Sequence, residues 1–170
     1  MKIDVSTNID ASAEKVWSLL GPRFGDISEW CATVSASQLT NRPAAPQGAP
    51  AAGRHCETTF GPFDEMFQHY DPNARTLAYE ATSPKLPFFI KRLTNRFTVE
   101  PLGDGRCRVT MNSGADMTQP FRTLMAPMMK ISMGKSLKGL VEELKYFAEH
   151  DTPHPRKVKA QAKVSGKSMA

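Results

Sequence analysis

Glu65 and His69 are the two side chains of this chain best suited to do chemistry. They stand four residues apart in FDEMFQHY, a stretch with the alternation of a β-strand. In a strand, residues 65, 67 and 69 share one face, so a carboxylate and an imidazole would project together with Phe67 between them. If that face is buried, neither polar group can remain alone, because an isolated charge in an apolar interior is strongly disfavoured. Arg54 on the preceding strand and Tyr79 on the following one are the natural partners. A carboxylate, an imidazole, a phenol and a guanidinium converging in an oily pocket suit general acid/base work on a carbonyl substrate. The same groups would equally orient the polar end of a bound ligand or hold ordered water. Periodicity alone does not choose the face, since Met66, Gln68 and Tyr70 form the competing set and both charged groups could lie in solvent.

Other chemistries find less support. His150 and His154 are four apart, but Pro153 ends any helix between them, so they do not form a paired metal site. Gly103-Asp104-Gly105 has the pattern of a hairpin turn and lacks the glycine and lysine spacing of a phosphate cradle. Cys31, Cys56 and Cys107 are widely separated and odd in number, which argues against a disulfide framework or a zinc site and for small buried hydrophobes. No nucleophile motif is present, and no cofactor or metal is called for.

At 170 residues, 40% hydrophobic and 23% charged, the chain fits one globular domain with a tail. No apolar run approaches the roughly 20 residues of a membrane span. The start, MKIDVSTNID, lacks the apolar core and cleavage site of a secretory signal, so the expected location is cytoplasmic. The net charge of +5 invites a nucleic-acid reading, but residues 151–170 carry Arg156, Lys157, Lys159, Lys163 and Lys167 against Asp151 alone. Residues 1–150 hold 17 basic and 16 acidic side chains. The charge therefore belongs to a tail, expected to be disordered because it has too little apolar surface to order itself. Such a tail would at most make weak contact with an anionic surface, and no specific nucleic-acid partner is indicated. Two regions follow: a ligand-binding domain over 1–150 and a basic tail over 151–170.

The elements that would position the candidate site are legible in order. Ile3, Val5, Thr7 and Ile9 alternate with polar residues as a first strand. Ser12 caps a short helix carrying Val16, Trp17, Leu19 and Leu20, which Gly21-Pro22 stops. A second short helix over Phe24 to Glu29 leads to Trp30, and Cys31 to Leu39 forms strand two. The connection RPAAPQGAPAAG, residues 42–53, has no pattern and is the expected site of disorder in the body. Five strands follow, over 54–60, 63–70, 75–82, 90–100 and 106–115, separated by Gly-Pro, Asp-Pro-Asn, Ser-Pro and Gly-Asp-Gly turn signals. Seven strands joined mostly by hairpins predict a curved antiparallel sheet. Met129, Met133, Leu137, Leu140, Leu144 and Phe147 then repeat at helical spacing, which predicts one long helix from about Ala126 to His150 with Pro127 in its first turn. Laid across the curved sheet, that helix buries two apolar faces at once.

On this arrangement the strands facing the helix contribute Arg54, Cys56, Thr58 and Phe60; Leu77, Tyr79 and Ala81; Leu93, Asn95, Phe97 and Val99; and Cys107, Val109, Met111 and Ser113. Met125, Met128, Met129 and Met133 cluster at the start of the helix, either as a flexible ligand lining or as ordinary core. Ser132 and Ser136 give the same helix a less dry stripe.

The segments IDASAEKVWSLL, ISEW, AAGRHCETTF, FDEMFQHYDPNARTLAYE, FTVEPLGDGRCRVTM and LKGLVEELKYF together resemble the START-like helix-grip superfamily, also called SRPBCC, in its polyketide cyclase/dehydrase-like branch. The resemblance covers about residues 1–148. It implies an α+β helix-grip fold in which a hydrophobic small molecule, a lipid, polyketide or aromatic, is held between sheet and long helix. It also implies an inward Glu65, because abscisic acid receptors of the superfamily have a cavity-facing glutamate at the matching place. On that basis Glu65, Phe67 and His69 are expected inward. Arg54, Phe60, Phe67, Tyr79, Asn95, Phe97, Met111, Met128, Ser132 and Ser136 are expected to line the ligand site, with access past the Gly61-Pro62 turn and the Ser83 to Pro87 loop. Two functions remain: a carrier or sensor of a hydrophobic molecule, or a cyclase/dehydrase-type enzyme using Glu65 and His69. The sequence does not specify an oligomeric state.

Overall fold

The computed structural model describes residues 1–40 and 45–167, with side chains as far as residue 163. Seven strands form one antiparallel sheet: β1 (Lys2–Ile9), β2 (Val34–Thr40), β3 (Gly53–Thr58), β4 (Gly61–Asp71), β5 (Thr76–Thr82), β6 (Ile90–Gly103) and β7 (Arg106–Met117). Their spatial order is β1-β7-β6-β5-β4-β3-β2, so β2 to β7 run as a meander and β1 closes onto the last strand. Between β1 and β2 lie helix α1 (Ala13–Leu20) and a 3-10 helix (Phe24–Glu29). Ser12 caps α1 as its sequence suggests, its hydroxyl accepting the Lys15 N–H at 3.1 Å.

The inner face of the sheet is the one expected. Leu77, Tyr79, Ala81, Phe97, Val99, Cys107, Val109 and Met111 are all buried in one cluster with Val16, Trp17, Leu20, Phe24 and Trp30. Phe60 is not among them: β3 ends at Thr58, and Phe60 sits in the turn before β4, 63% exposed. The patternless connection over 42–53 falls partly on residues 41–44, outside the described residues. Its later part is held, with Ala52 buried and its carbonyl accepting the Phe67 N–H at 2.9 Å. Gly53 shows why β3 begins with glycine, because a Cβ there would stand 2.0 Å from the Glu65 carbonyl oxygen.

The long helix, α2, spans Phe121–His150 and starts a turn and a half earlier than the sequence suggests. Pro127 therefore lies inside the helix, where its missing N–H leaves the Thr123 carbonyl without its helical donor. Thr123 is exposed, so water can take that place. The helix packs chiefly against β1, with lesser contact to β7 and α1.

The segment expected to be a disordered tail instead carries a third helix, α3 (Pro155–Lys167). Lys157, 2% exposed, donates through Nζ to the Val34 carbonyl at 2.7 Å. Arg156 pairs with Glu142 at 2.8 Å and with the buried Glu143 at 3.2 Å, and Glu143 also accepts the Ala32 N–H at 2.8 Å. Apolar content, on which the expectation of disorder rested, takes no account of a helix held by a buried amine and an ion pair. Burial lowers the Lys157 pKa, because the charged amine is disfavoured away from water. Between that lowered value and 10.5 the unfolded chain binds more protons at this site than the folded one, so the contribution of Lys157 to stability grows as pH rises through the interval. Lys157→Met, which removes the Nζ donor from the Val34 carbonyl, is expected to lower stability by ~1–3 kcal/mol in denaturant titrations at neutral pH and to remove that component of the pH slope.

Candidate functional site

Arg54 is the centre of the interior polar site. It points inward from β3 and is almost wholly buried, and each of its nitrogens meets a partner: Nε and Nη2 reach Glu65 Oε2, both at 2.6 Å, and Nη1 donates to the Phe24 carbonyl. The cation also lies 3.7 Å from the centroid of the Phe24 ring and 5.7 Å from that of Tyr79. Register explains the pairing, since Arg54 stands directly opposite Glu65 in the β3–β4 ladder and Glu65 opposite Ala81 in the next. Burial opposes the charge on Arg54, but the Glu65 carboxylate offsets this and the guanidinium pKa is raised. The Tyr79 phenol is pushed well above its ordinary value, first by burial and then by Glu65. Both groups thus keep their ordinary protonation at neutral pH.

Around the ion pair the space is filled by rings. Phe24 meets Phe67 at 4.3 Å and Tyr79 at 5.5 Å between centroids, Phe67 meets Tyr70 at 5.4 Å, and Tyr70 meets Trp17 at 5.3 Å. A void of about 10 Å3 remains, lined among others by Leu20, Phe24, Arg54, Tyr79, Phe97 and Leu140. That is about the space of one water. A wider hollow of about 550 Å3 lies on the opposite, outer face of the sheet, among Lys2, Asp4, Gln68, Glu80, Arg96 and Asn112. It is open to solvent and rimmed by charged and amide side chains.

His69 does not join Glu65. The β4–β5 register shifts between Phe67 and His69, so that Phe67 opposes Tyr79 while His69 opposes Ala78. The extra residue, Gln68, is a β-bulge, and from there on the faces of β4 exchange: Tyr70 enters the core in place of His69. The imidazole is turned to the outer face, its Nε2 at 2.9 Å from the Thr76 hydroxyl. The expectation of Glu65, Phe67 and His69 inward together is therefore corrected for His69, and the acid/base pair is not assembled.

Of the expected lining, Arg54, Phe67, Tyr79, Asn95, Phe97 and Met111 are buried in the interior. Phe60, Met128, Ser132 and Ser136 are exposed, Ser136 bonding only its own helix through the Ser132 carbonyl. Met128 lies about a third of a turn from Met129 around the helix, and it is Met129 that faces inward. One polar feature was not anticipated as a unit: the Ser113 hydroxyl donates to Asn95 Oδ1 at 2.8 Å, buried, from directly opposed positions on β7 and β6. Both residues stand on inward faces in the sequence, but only the register joins them.

The two expected gate segments lie together. The Lys85 side chain covers Gly61, whose absent Cβ would fall 2.7 Å from Lys85 Cγ. Leu86 and Phe89 of the following loop pack with Leu93, Met125 and Met129 around Ile90, Ala115 and Met117, a second small core at the end of the sheet remote from Trp17.

A curved antiparallel sheet gripping the long helix α2 around an interior that holds the buried Arg54–Glu65 pair defines the class as a helix-grip protein, the fold of the START type. The chain belongs to the family described as polyketide cyclase / dehydrase and lipid transport, whose model matches residues 1–145. Among solved structures it is similar to a START superfamily protein from Mycobacterium smegmatis, at 16% identity and a TM-score of 0.71, covering 89% of this chain and 99% of that one. Truncated norcoclaurine synthase from Thalictrum flavum is similar at 14% identity and a TM-score of 0.63, covering 88% and 94%. The di-domain ARO/CYC BexL of the BE-7585A biosynthetic pathway is similar at 11% and 0.67, covering 86% of this chain and 47% of that one. These likenesses are of fold. No curated protein is matched.

The pairing of Arg54 with Glu65 carries a stability prediction. Arg54→Met strands a largely buried carboxylate and is expected to destabilise the fold by ~3 kcal/mol or more, whereas Arg54→Met combined with Glu65→Leu is expected to lose less than the single change. Urea denaturation of the four proteins of the cycle reads this directly. Additive losses would show that the two groups are not coupled.

Proposed function

We propose that the protein binds a hydrophobic small molecule between the inner face of the sheet and α2, as a carrier or sensor. The observation that carries this reading is the uneven packing of α2. Val141, Leu144 and Ala148 in its last turns are buried, whereas Met125, Met129, Met133, Leu137 and Leu140, on the same inward side, are only partly so. Apolar side chains turned inward yet partly exposed to solvent mark the segment of the interior with the least to lose by opening. Three of the residues there, Met125, Met129 and Met133, are methionines, whose flexible thioethers adapt to ligands of different shape. The Asn95–Ser113 pair supplies a polar anchor on the sheet side, and the family description is consistent with a lipid or polyketide ligand.

Catalysis by Glu65 and His69 has less support. Glu65 is committed to Arg54, and His69 faces away from the interior. A catalytic role of the kind the names norcoclaurine synthase and BexL suggest would need other residues, since Glu65 is paired with Arg54 and the Tyr79 phenol near it keeps its proton at neutral pH.

The neutral fluorophore N-phenyl-1-naphthylamine tests the reading. Saturable uptake at one probe per chain is expected, together with a co-purifying small molecule in native mass spectra. Met133→Trp, which fills the interior under α2, is expected to weaken uptake about tenfold or more, with a cooperative thermal transition retained. Absence of both saturable uptake and a co-purifying molecule would overturn the proposal.

A further inference from the structure

The first three turns of α2 are apolar on their outer side as well as their inner one. Leu124, Met128 and Ile131, at spacings of four and three, form a ridge turned to solvent, 76%, 60% and 77% exposed. Phe88, 83% exposed, extends the ridge: its ring meets Phe121 at 5.1 Å, and Phe121 in turn stacks on Phe89 at 5.0 Å, tying the 83–89 loop to the start of the helix. Apolar residues gathered on the exposed side of a helix are ordinarily covered, by protein or by lipid, and a surface of this kind marks a contact site.

Charge decides between the occupants. From Met117 to Val141 the chain carries Arg122, Lys130, Lys135 and Lys138 and no acidic residue; from Ser83 to Lys91 it carries Lys85 and Lys91 and again none. The nearby Asp116 and Glu80 are both engaged by Arg92, at 3.6 and 3.0 Å. A second copy would bring the same cations against themselves. An anionic bilayer offers hydrocarbon for the ridge and phosphate for its basic flanks.

We infer that this end of the molecule, the ridge Phe88, Leu124, Met128 and Ile131 with the cations around it, docks on an anionic membrane surface. The contact lies on the bilayer, since no helix of the described residues is long and apolar enough to cross one. It uses α2 and the 83–89 loop, and leaves α3 aside, where Arg156 and Lys157 are engaged in packing. The docking does not require an occupied interior, so it stands or falls separately from the ligand reading.

Sedimentation of the full chain with unilamellar vesicles tests it. Binding is expected to vesicles of phosphatidylcholine mixed with phosphatidylglycerol, with partitioning into phosphatidylcholine alone at least about tenfold lower and with suppression by salt. Phe88→Asp with Leu124→Asp, and separately Lys130→Glu with Lys135→Glu, are each expected to reduce partitioning about tenfold or more. All four side chains are exposed, so thermal midpoints should move little, and uptake of N-phenyl-1-naphthylamine should persist. Lys159→Glu with Lys163→Glu in α3 is expected to change nothing. No vesicle binding, equal binding to both lipid compositions, loss only with the α3 changes, or a concentration-dependent dimer abolished by Phe88→Asp would each overturn the inference.

Discussion

A guanidinium taken out of water must be met on every side, and the way Arg54 is met organises the rest of this structure. Its carboxylate comes from β4, its carbonyl and its covering ring from the 3-10 helix, and its second ring from β5. One side chain thereby joins three strands to the short helical segment that β1 and α1 lead into. Gly53 permits the close approach of β3 and β4 that brings Arg54 opposite Glu65. A buried ion pair adds little net stability over a well-packed apolar substitute, but each partner strongly penalises loss of the other. The pair therefore selects one register and one seating of Phe24, which the aromatic cluster around it then fills.

That filling has a functional consequence. The end of the interior near Arg54 is packed almost to completion, and the polar pair is occupied by its protein partners. The opposite end is held differently: Leu86, Phe89, Met125 and Met129 form a small separate core, and α2 gains full burial only from Val141 onward. Arg156 and Lys157 pin α3 to the well-packed end, at Glu142, Glu143 and Val34. The molecule is thus tightly packed around the aromatic cluster, with α3 anchored there, and more exposed where α2 begins, and both the proposed ligand seat and the proposed membrane contact fall in the more exposed half.

The sheet was readable because its alternation is strong. Leu77, Tyr79 and Ala81, or Val109 and Met111, face inward as period two requires, and the turn signals fall between strands. The candidate site was less readable, and the failure has a particular cause. FDEMFQHY alternates plausibly in either phase, and a single inserted residue at Gln68 reverses the phase halfway along, sending Tyr70 inward and His69 outward. A bulge leaves no mark in a stretch where both phases mix polar and apolar side chains. The start of α2 misled for a related reason: Pro127 favours a first turn, but an exposed Thr123 carbonyl tolerates it in the second. Lys157 gave no sign of burial, because a lysine among lysines reads as solvated charge.

Local patterning, then, was enough to determine the number of strands and their succession along the chain, the capped α1 and the amphipathic inward stripe of α2. These depend on periods of two and 3.6 residues and on turn chemistry, which act over short stretches of chain. Which polar groups meet was decided only in three dimensions. Arg54 with Glu65, Asn95 with Ser113 and Lys157 with Val34 are pairs set by strand register and helix docking across 11, 18 and 123 residues. The exposed ridge of α2 belongs to the same category: its apolar residues were visible as letters, but only the packing of the other side of the helix against the sheet left them facing water.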